Sequence, residues 1–414
     1  MAEPIRIRVY NVGFGDCILL RLPTPSGRVA KILVDCGSLS FGESGQNNES
    51  VVKRIISDLS ENGEPRLDVV IASHRHKDHI SGFALPQWRQ VAVGQVWQPW
   101  TENPKDPDAR RLFEDQMELA AAIQVNEPLL RASKVIGADA QDLILDMALN
   151  ALGNADSINT LRAGFASTPA RKWLSRRDQP RRPRVLDGLP VHVLGPSRDP
   201  EVIRSLDPPK GKSYLSMIGA TDPDSPEDLR PPFPHLPPMN WEAYAGYGGT
   251  RRPVNAGQAI GVLRSMAEGD AVLAAAALDN ALNNTSLMLM FEVGDQFLLF
   301  PGDSQWGTWK LALTDDWSRD LLSRTTFYKI GHHGSHNATP REFVEDVLTA
   351  GSWCIASVTP YSRWKQVPKE ELLEALNDKT PDRVFTTMKP PDSPPPQVTV
   401  VDGGVAIDFE LPVD

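Results

Sequence analysis

Cysteine is scarce in this sequence: Cys17, Cys36 and Cys354 are the only three in 414 residues. Their odd number and the lack of CxxC spacing exclude a disulfide framework and a thiolate metal site, so each is read as a small buried hydrophobe. Long apolar runs are also missing. No stretch approaches the roughly 20 residues that span a bilayer, and no charged-then-apolar leader opens the chain. A soluble, cytoplasmic protein without a membrane partner is the expectation. Net positive charge is absent as well. A formal balance of -10 opposes broad affinity for a phosphate backbone, although it leaves room for a local basic groove. A GxSxG nucleophile elbow and a P-loop are lacking, and the glycines of "VGFGD" (12 to 16) do not have dinucleotide-binding spacing.

What is present is a chain long enough for one large core with insertions, or for two domains, with 41% hydrophobic residues. Strand-like runs dominate the first 98 residues: "IRIRVYNV", "CILLRL", "KILVDCG" and "LDVVIAS", with a helical "SVVKRIISDLS" among them. From 99 to 282 the character changes. "RRLFEDQMELAAAI" and "AQDLILDMALNAL" carry apolar residues at three- and four-residue spacing and predict amphipathic helices. A strand is predicted near 190 to 196, and the Pro-rich "RPPFPHLPPMN" (230 to 240) predicts loop or extended chain. Strands return in 283 to 414 with "SLMLMFEV", "QFLLFPGDS", "FYKIGHHGSH" and "WCIASV", then a helix in "PKEELLEAL" and closing runs "RVFTT" and "VAIDFEL". No internal repeat is found. The two ends are alike in style, and the middle reads as an insertion.

The histidines are concentrated. Six of the eight lie in two short motifs, "SHRHKDH" and "GHHGSH", each at the tip of a predicted strand. In extended backbone His74 and His76 point the same way. Asp78 and His79 follow at once and can face a second point close by. A divalent metal takes His nitrogen and carboxylate oxygen at about 2.0 to 2.2 Å, and a metal pair sits about 3.5 to 4 Å apart. Four such groups in six positions are costly to desolvate without a cation. Asp303, in a Gly-flanked turn after an apolar strand, is a carboxylate that can bridge. His332, His333 and His336 follow another apolar run. Ligands gathered from strand tips are how an α/β scaffold builds a rigid site.

With "VGFGD", "LVDCG" (33 to 37), "SHRHKDHISG", "NNTSLML" (283 to 289), "FPGD" and "GHHGS" in this order, the chain resembles the metallo-β-lactamase superfamily. Within it the chain is most similar to the hydrolase domain of bacterial competence (DNA-uptake) proteins. The likeness covers about residues 5 to 98 and 283 to 410, with a weaker link at "VHVLGP".

The resemblance implies an α/β fold, a four-layer αββα sandwich with a large helical and Pro-rich insertion. It implies two divalent metal ions, Zn or Mn. His74 and His76 would hold one, Asp78 and His79 the other, Asp303 would bridge, and His332 or His333 would complete the second site. Asp35 matches an aspartate that supports the histidine loop through hydrogen bonds, and Asp16 is expected to organise a loop. Asn284 and Ser286 match an "NxS" element in which asparagine stands where many relatives have a third histidine ligand. The chain departs from the pattern at "YSRWKQVPKEEL": Gln366 and Val367 precede Pro368 where related domains carry "GHP".

The chemistry implied is hydrolysis by metal-activated water, with Asp78 orienting the water and His333 or His336, whichever is not a ligand, acting as general acid. A phosphodiesterase or nuclease is the leading expectation. "RKWLSRRDQPRRPR" (171 to 184) holds seven basic residues against one acid. Arg171, Lys172, Arg176, Arg177, Arg181, Arg182 and Arg184, with Trp173 for stacking, would bind nucleic acid or another anionic phosphoester; a solvated linker is the other reading of the strip. Hydrolysis of another ester, a lactam or a phosphorylcholine-type head group also fits, as does an interaction protein that uses the insertion as its surface and the metal as a structural element.

Overall fold

The computed structural model describes residues 3–44, 46–60, 63–114, 127, 154–177, 182–205, 208, 211–213, 282–335, 337–359 and 367–413. The helix expected at 140 to 152 and the Pro-rich passage at 230 to 240 lie outside the described residues. Of "RRLFEDQMELAAAI", the described part is helical, from 107 to 114.

Among the described residues, seven strands come from the first half: β1 (Ile5–Tyr10), β2 (Cys17–Pro23), β3 (Val29–Cys36), β4 (Arg66–Ile71), β5 (Ala92–Pro99), β6 (Ala170–Leu174) and β7 (Val191–Gly195). Seven follow: β8 (Met288–Val293), β9 (Gln296–Phe300), β10 (Phe327–Lys329), β11 (Trp353–Ala356), β12 (Val384–Thr386), β13 (Val398–Val401) and β14 (Ala406–Leu411). Among the described residues, besides the helical stretch at 107 to 114, the α-helices are α1 (Asn48–Ser60), α2 (Lys77–Ile80), α3 (Ala155–Ala163), α4 (Pro200–Arg204), α5 (Trp306–Thr314), α6 (Asp316–Ser323) and α7 (Glu370–Lys379).

These strands form a mixed α/β sandwich of two sheets. One runs β13-β14-β1-β2-β3-β4-β5-β6, the other β12-β11-β10-β9-β8-β7. Period-two alternation sorts their side chains. In β1, Ile5, Ile7 and Val9 turn inward and join Val69, Ile71, Leu289, Phe291, Leu298 and Phe327 in a core shared by both sheets. The opposite face of the first sheet, with Leu19, Leu33 and Val70, packs on Val51, Val52, Ile55 and Leu59 of α1. Met290, Leu299 and Tyr328 of the second sheet pack on Trp309 of α5, Leu322 of α6 and Leu376 of α7. The start of α1 follows from its sequence, because Asn47 Oδ1 accepts the Ser50 N–H at 2.9 Å.

The chain forms two compact units. The first takes in Met1–Phe113, Gly153–Leu215 and Asn280–Asp414, and the second Glu114–Leu152 and Ser216–Asp279. The expected single insertion from 99 to 282 is therefore interrupted. Residues 99–113 and 153–215 belong to the first unit, because β6 pairs with β5 in parallel and β7 pairs with β8 antiparallel. Leu174, Val191 and Val193 thereby enter the shared core. The segment read only as a basic strip begins with an edge strand.

Strands β3, β4, β5 and β6 are parallel, as are β9, β10, β11 and β12. The residues after β4, β9 and β10 are 72 to 80, 301 to 305 and 330 to 335, so three C-terminal strand tips deliver the histidine and aspartate motifs. Leu287 N–H donates to Ser73 O at 2.9 Å, and His332 N–H to Gly302 O at 3.2 Å. These bonds bring the tips together. Among the described residues, no helix is long and apolar enough to cross a membrane.

Candidate metal centre

After β4 the chain leaves the sheet at Ala72, and Asp35 at the end of β3 receives the turn. The Ser73 N–H donates to Asp35 Oδ1 and the Ser73 hydroxyl to Oδ2, both at 2.7 Å. His79 Nδ1 reaches the same Oδ2 at 2.8 Å. A carboxylate accepts here, so His79 carries its proton on Nδ1 and turns Nε2 toward the site. Asp16 holds the turn from the other side, its main-chain N–H donating to Asp78 O at 2.9 Å. Gly15 permits this approach at a left-handed φ of 157°, since a Cβ there would lie 2.6 Å from Asp78 O.

The GHHG turn after β10 is unusual in its backbone. His332 and His333 have φ of 45° and 53°, a region that non-glycine residues rarely occupy and that gathers at functional sites. His333 Nδ1 donates to Ser357 O at 2.9 Å, and its Nε2 meets Asp78 Oδ2 at 3.1 Å. His332 Nδ1 lies 3.3 Å from Asn337 Oδ1.

Asp303 is the meeting point. Its Oδ2 lies 3.1 Å from His79 Nε2, 3.8 Å from both His332 Nε2 and His333 Nε2, and 4.0 Å from His74 Nε2. His76 completes the group, its ring centroid 4.7 Å from that of His74. All these side chains are buried.

Charge decides their states. Burial pushes His74 and His332 below the ordinary histidine pKa and takes His76 down to about 4. Burial acts on His79 too, but Asp303, Asp78 and Asp35 outweigh it and hold this imidazole well above the ordinary value. His333 is raised against burial by Asp303, Asp78 and Asp16. Burial alone would raise Asp78 and Asp303. His79 and His333 instead hold Asp78 low, and His79, His332 and His333 hold Asp303 low. Burial pushes the Asp35 carboxyl up, opposed by His79.

The donor set fits a cation. Asp78 Oδ1, Asp303 Oδ1 and His74 Nε2 are buried with no hydrogen-bond partner among the described residues, and buried polar atoms rarely go unsatisfied. Asp78, His79, Asp303 and His333 each offer a ligand atom, all within 4.8 Å of one another, and could hold a metal ion.

Other residues lie elsewhere. Asn284 does not face the cluster: its Oδ1 accepts the Gln305 and Thr308 N–H groups, and its Nδ2 donates to Val202, Ile203 and Ser205 carbonyls. It caps α5 and ties α4 to it. Its neighbour Asn283 is the one that reaches the site, 3.5 Å from His332 Nε2. Ser286 Oγ accepts the Asp303 N–H at 3.2 Å. His336, Arg181 and Gln366 lie outside the described residues.

The basic strip divides. Arg171 and Lys172 are exposed on β6, and the Arg171 guanidinium sits 5.3 Å from the Trp173 ring. Arg182 and Arg184 are also exposed. Arg176 and Arg177, expected to bind substrate, are instead committed to Asp315 and to the face of Trp317. Sequence reasoning missed Lys329, hidden in an apolar run, and Ser73, whose hydroxyl lies near both His74 and His79; its place just before "HRHKDH" was the available signal. Neither a protein-family model nor a curated protein matches the chain.

Proposed function

We propose that the chain is a metal-dependent hydrolase of the metallo-β-lactamase superfamily, a phosphodiesterase or nuclease akin to the hydrolase domain of bacterial DNA-uptake proteins, its sandwich being the αββα core of that superfamily. The observation that carries this reading is the convergence on Asp303, where four imidazoles from two distant motifs lie within 4.0 Å of one carboxylate oxygen. His74, His76, Asp78, His79, Asp303, His332 and His333 would hold two divalent ions, zinc or manganese. Bound there, the ions would lower the pKa of water toward neutrality and polarise a phosphoryl oxygen.

The chain's own side chains supply the remainder. Among the described residues Asp78 keeps one oxygen without a hydrogen-bond partner, which suits it to orient an attacking water. His333 has both nitrogens engaged, on Ser357 and Asp78, which supports a ligand role. His332 is 8% exposed against 0% for His333; with both taken as ligands, the proton for the leaving oxygen falls to the imidazole that is not a ligand, His336. Exposed Arg171 and Lys172 beside Trp173 support an anionic chain such as single-stranded nucleic acid as substrate.

Purified protein supplied with Mn²⁺ or Zn²⁺ is expected to cleave bis-p-nitrophenyl phosphate or single-stranded DNA. The double substitution His76→Ala, Asp78→Ala should abolish cleavage. Undiminished turnover by that variant would overturn the reading.

A further inference from the structure

We propose that Lys329 is a positioning residue for the metal centre, holding the Asp16 carboxylate behind two imidazoles, His79 and His333, that come from opposite sheets. The inference deepens the proposed metal site and rests on that reading.

Lys329 ends β10 and is only 2% exposed. Its Nζ donates to Asp16 Oδ2 at 2.7 Å and to Ile330 O at 3.1 Å. Asp16 in turn stands behind both rings. Its Oδ2 lies 3.9 Å from His79 Nδ1, and its Oδ1 lies 3.7 Å from His333 Nδ1. These are the nitrogens that face away from Asp303. A negative group on that side favours a proton on Nδ1 and leaves Nε2 for a ligand role, which is how outer carboxylates orient metal-bound histidines. Asp16 also grips the main chain of the site, since its N–H donates to Asp78 O at 2.9 Å and its carbonyl accepts from Gly37 N–H at 3.0 Å. The ion pair thus joins the second sheet to the turn that carries Asp78 and His79.

Stability alone does not explain a lysine here. Replacing a buried ion pair by apolar residues of similar volume is often neutral or stabilising, and the neighbours of Lys329 in β10, Phe327 and Tyr328, are already core. Nor would Asp16 serve as well without its partner. One of its oxygens has no hydrogen-bond partner among the described residues, so loss of Lys329 would leave a buried carboxylate unheld beside two imidazoles and free to swing.

The test uses the full chain stripped of metal, with Mn²⁺ and Zn²⁺ as probes in calorimetric titration. Lys329→Met is expected to weaken metal affinity about 10- to 100-fold, the range typical of lost outer-shell partners. Histidine ring ¹⁵N shifts should move at His79 and His333, whose Nδ1 atoms face Asp16, which a purely structural role would leave unmoved. Lys329→Arg should recover part of the affinity. If Lys329→Met fails to fold, the double variant Asp16→Asn, Lys329→Met removes both charges together and carries the same expectation. Affinity within twofold of wild type in either folded variant overturns the proposal. A wild-type chain that binds metal yet cleaves no phosphodiester overturns the activity and leaves the positioning role standing; a chain that binds neither metal overturns both.

Discussion

Asp303 Oδ2 lies 3.1 Å from His79 Nε2, a nitrogen from a turn 224 residues earlier in the chain. Without a bound cation the contact is stabilised by a proton, because His79 is held well above its ordinary pKa and Asp303 well below. A metal held there would compete with the proton for the same atoms.

The first prediction concerns pH. In the presence of a chelator the melting temperature should peak near the ordinary histidine value of 6.5. His79 and His333 bind protons more tightly folded than unfolded, so their contribution is full below that pH and is lost as pH rises through their raised folded values. His74, His76 and His332 are lowered in the fold, so stability also falls as pH drops below 6.5, toward about 4 for His76. Asp78 and Asp303, lowered as well, add to the loss at acid pH. Each tenfold difference in proton affinity between folded and unfolded chain is about 1.4 kcal/mol. Thermal melts across this range check the shape, and a melting temperature that climbs steadily into alkali would contradict it.

Asn284 is expected to govern stability. Asn284→Ala strips partners from the Gln305 and Thr308 N–H groups and from three carbonyls around α4. Buried groups left unsatisfied cost about 1 to 3 kcal/mol each, and with partial relaxation the unfolding free energy should fall by about 3 kcal/mol in urea titration. A loss within experimental error would show that the junction of α4 and α5 is held by other contacts.

Substrate handling should separate the two halves of the basic strip. Arg171→Ala with Lys172→Ala is expected to raise KM for single-stranded DNA about tenfold, in keeping with the loss of phosphate contacts, while kinetics on bis-p-nitrophenyl phosphate stay near wild type. Arg177→Ala should leave the DNA KM unchanged, because that guanidinium is already committed to Asp315. Equal effects from both substitutions would remove β6 as the contact surface.

Much of the site was legible because its parts are local. The i, i+2 spacing of His74 and His76, the strand-like runs before each motif and the alternation of β1 are all properties of a few neighbouring residues. The lysine of "FYKIGHH" was not legible as a site residue. Within an apolar run it has no local signature, and its partner Asp16 lies 313 positions away. Asn283 and Asn284 are adjacent and chemically identical, so only the direction each side chain takes from the turn before β8 separates the one beside His332 from the one that caps α5.

By itself, then, the sequence determined which residues are ligand-like and that they end strands, because period-two alternation and strand-end motifs follow from bonds between near neighbours. The tertiary structure decided the rest: the gathering of four imidazoles around Asp303, the commitment of Arg176 and Arg177 to Asp315, and the pairing of β6 and β7 with the two sheets. Those outcomes depend on hydrogen bonds and charges between groups far apart in the chain, and no local periodicity encodes which distant partner a buried carboxylate or lysine will meet.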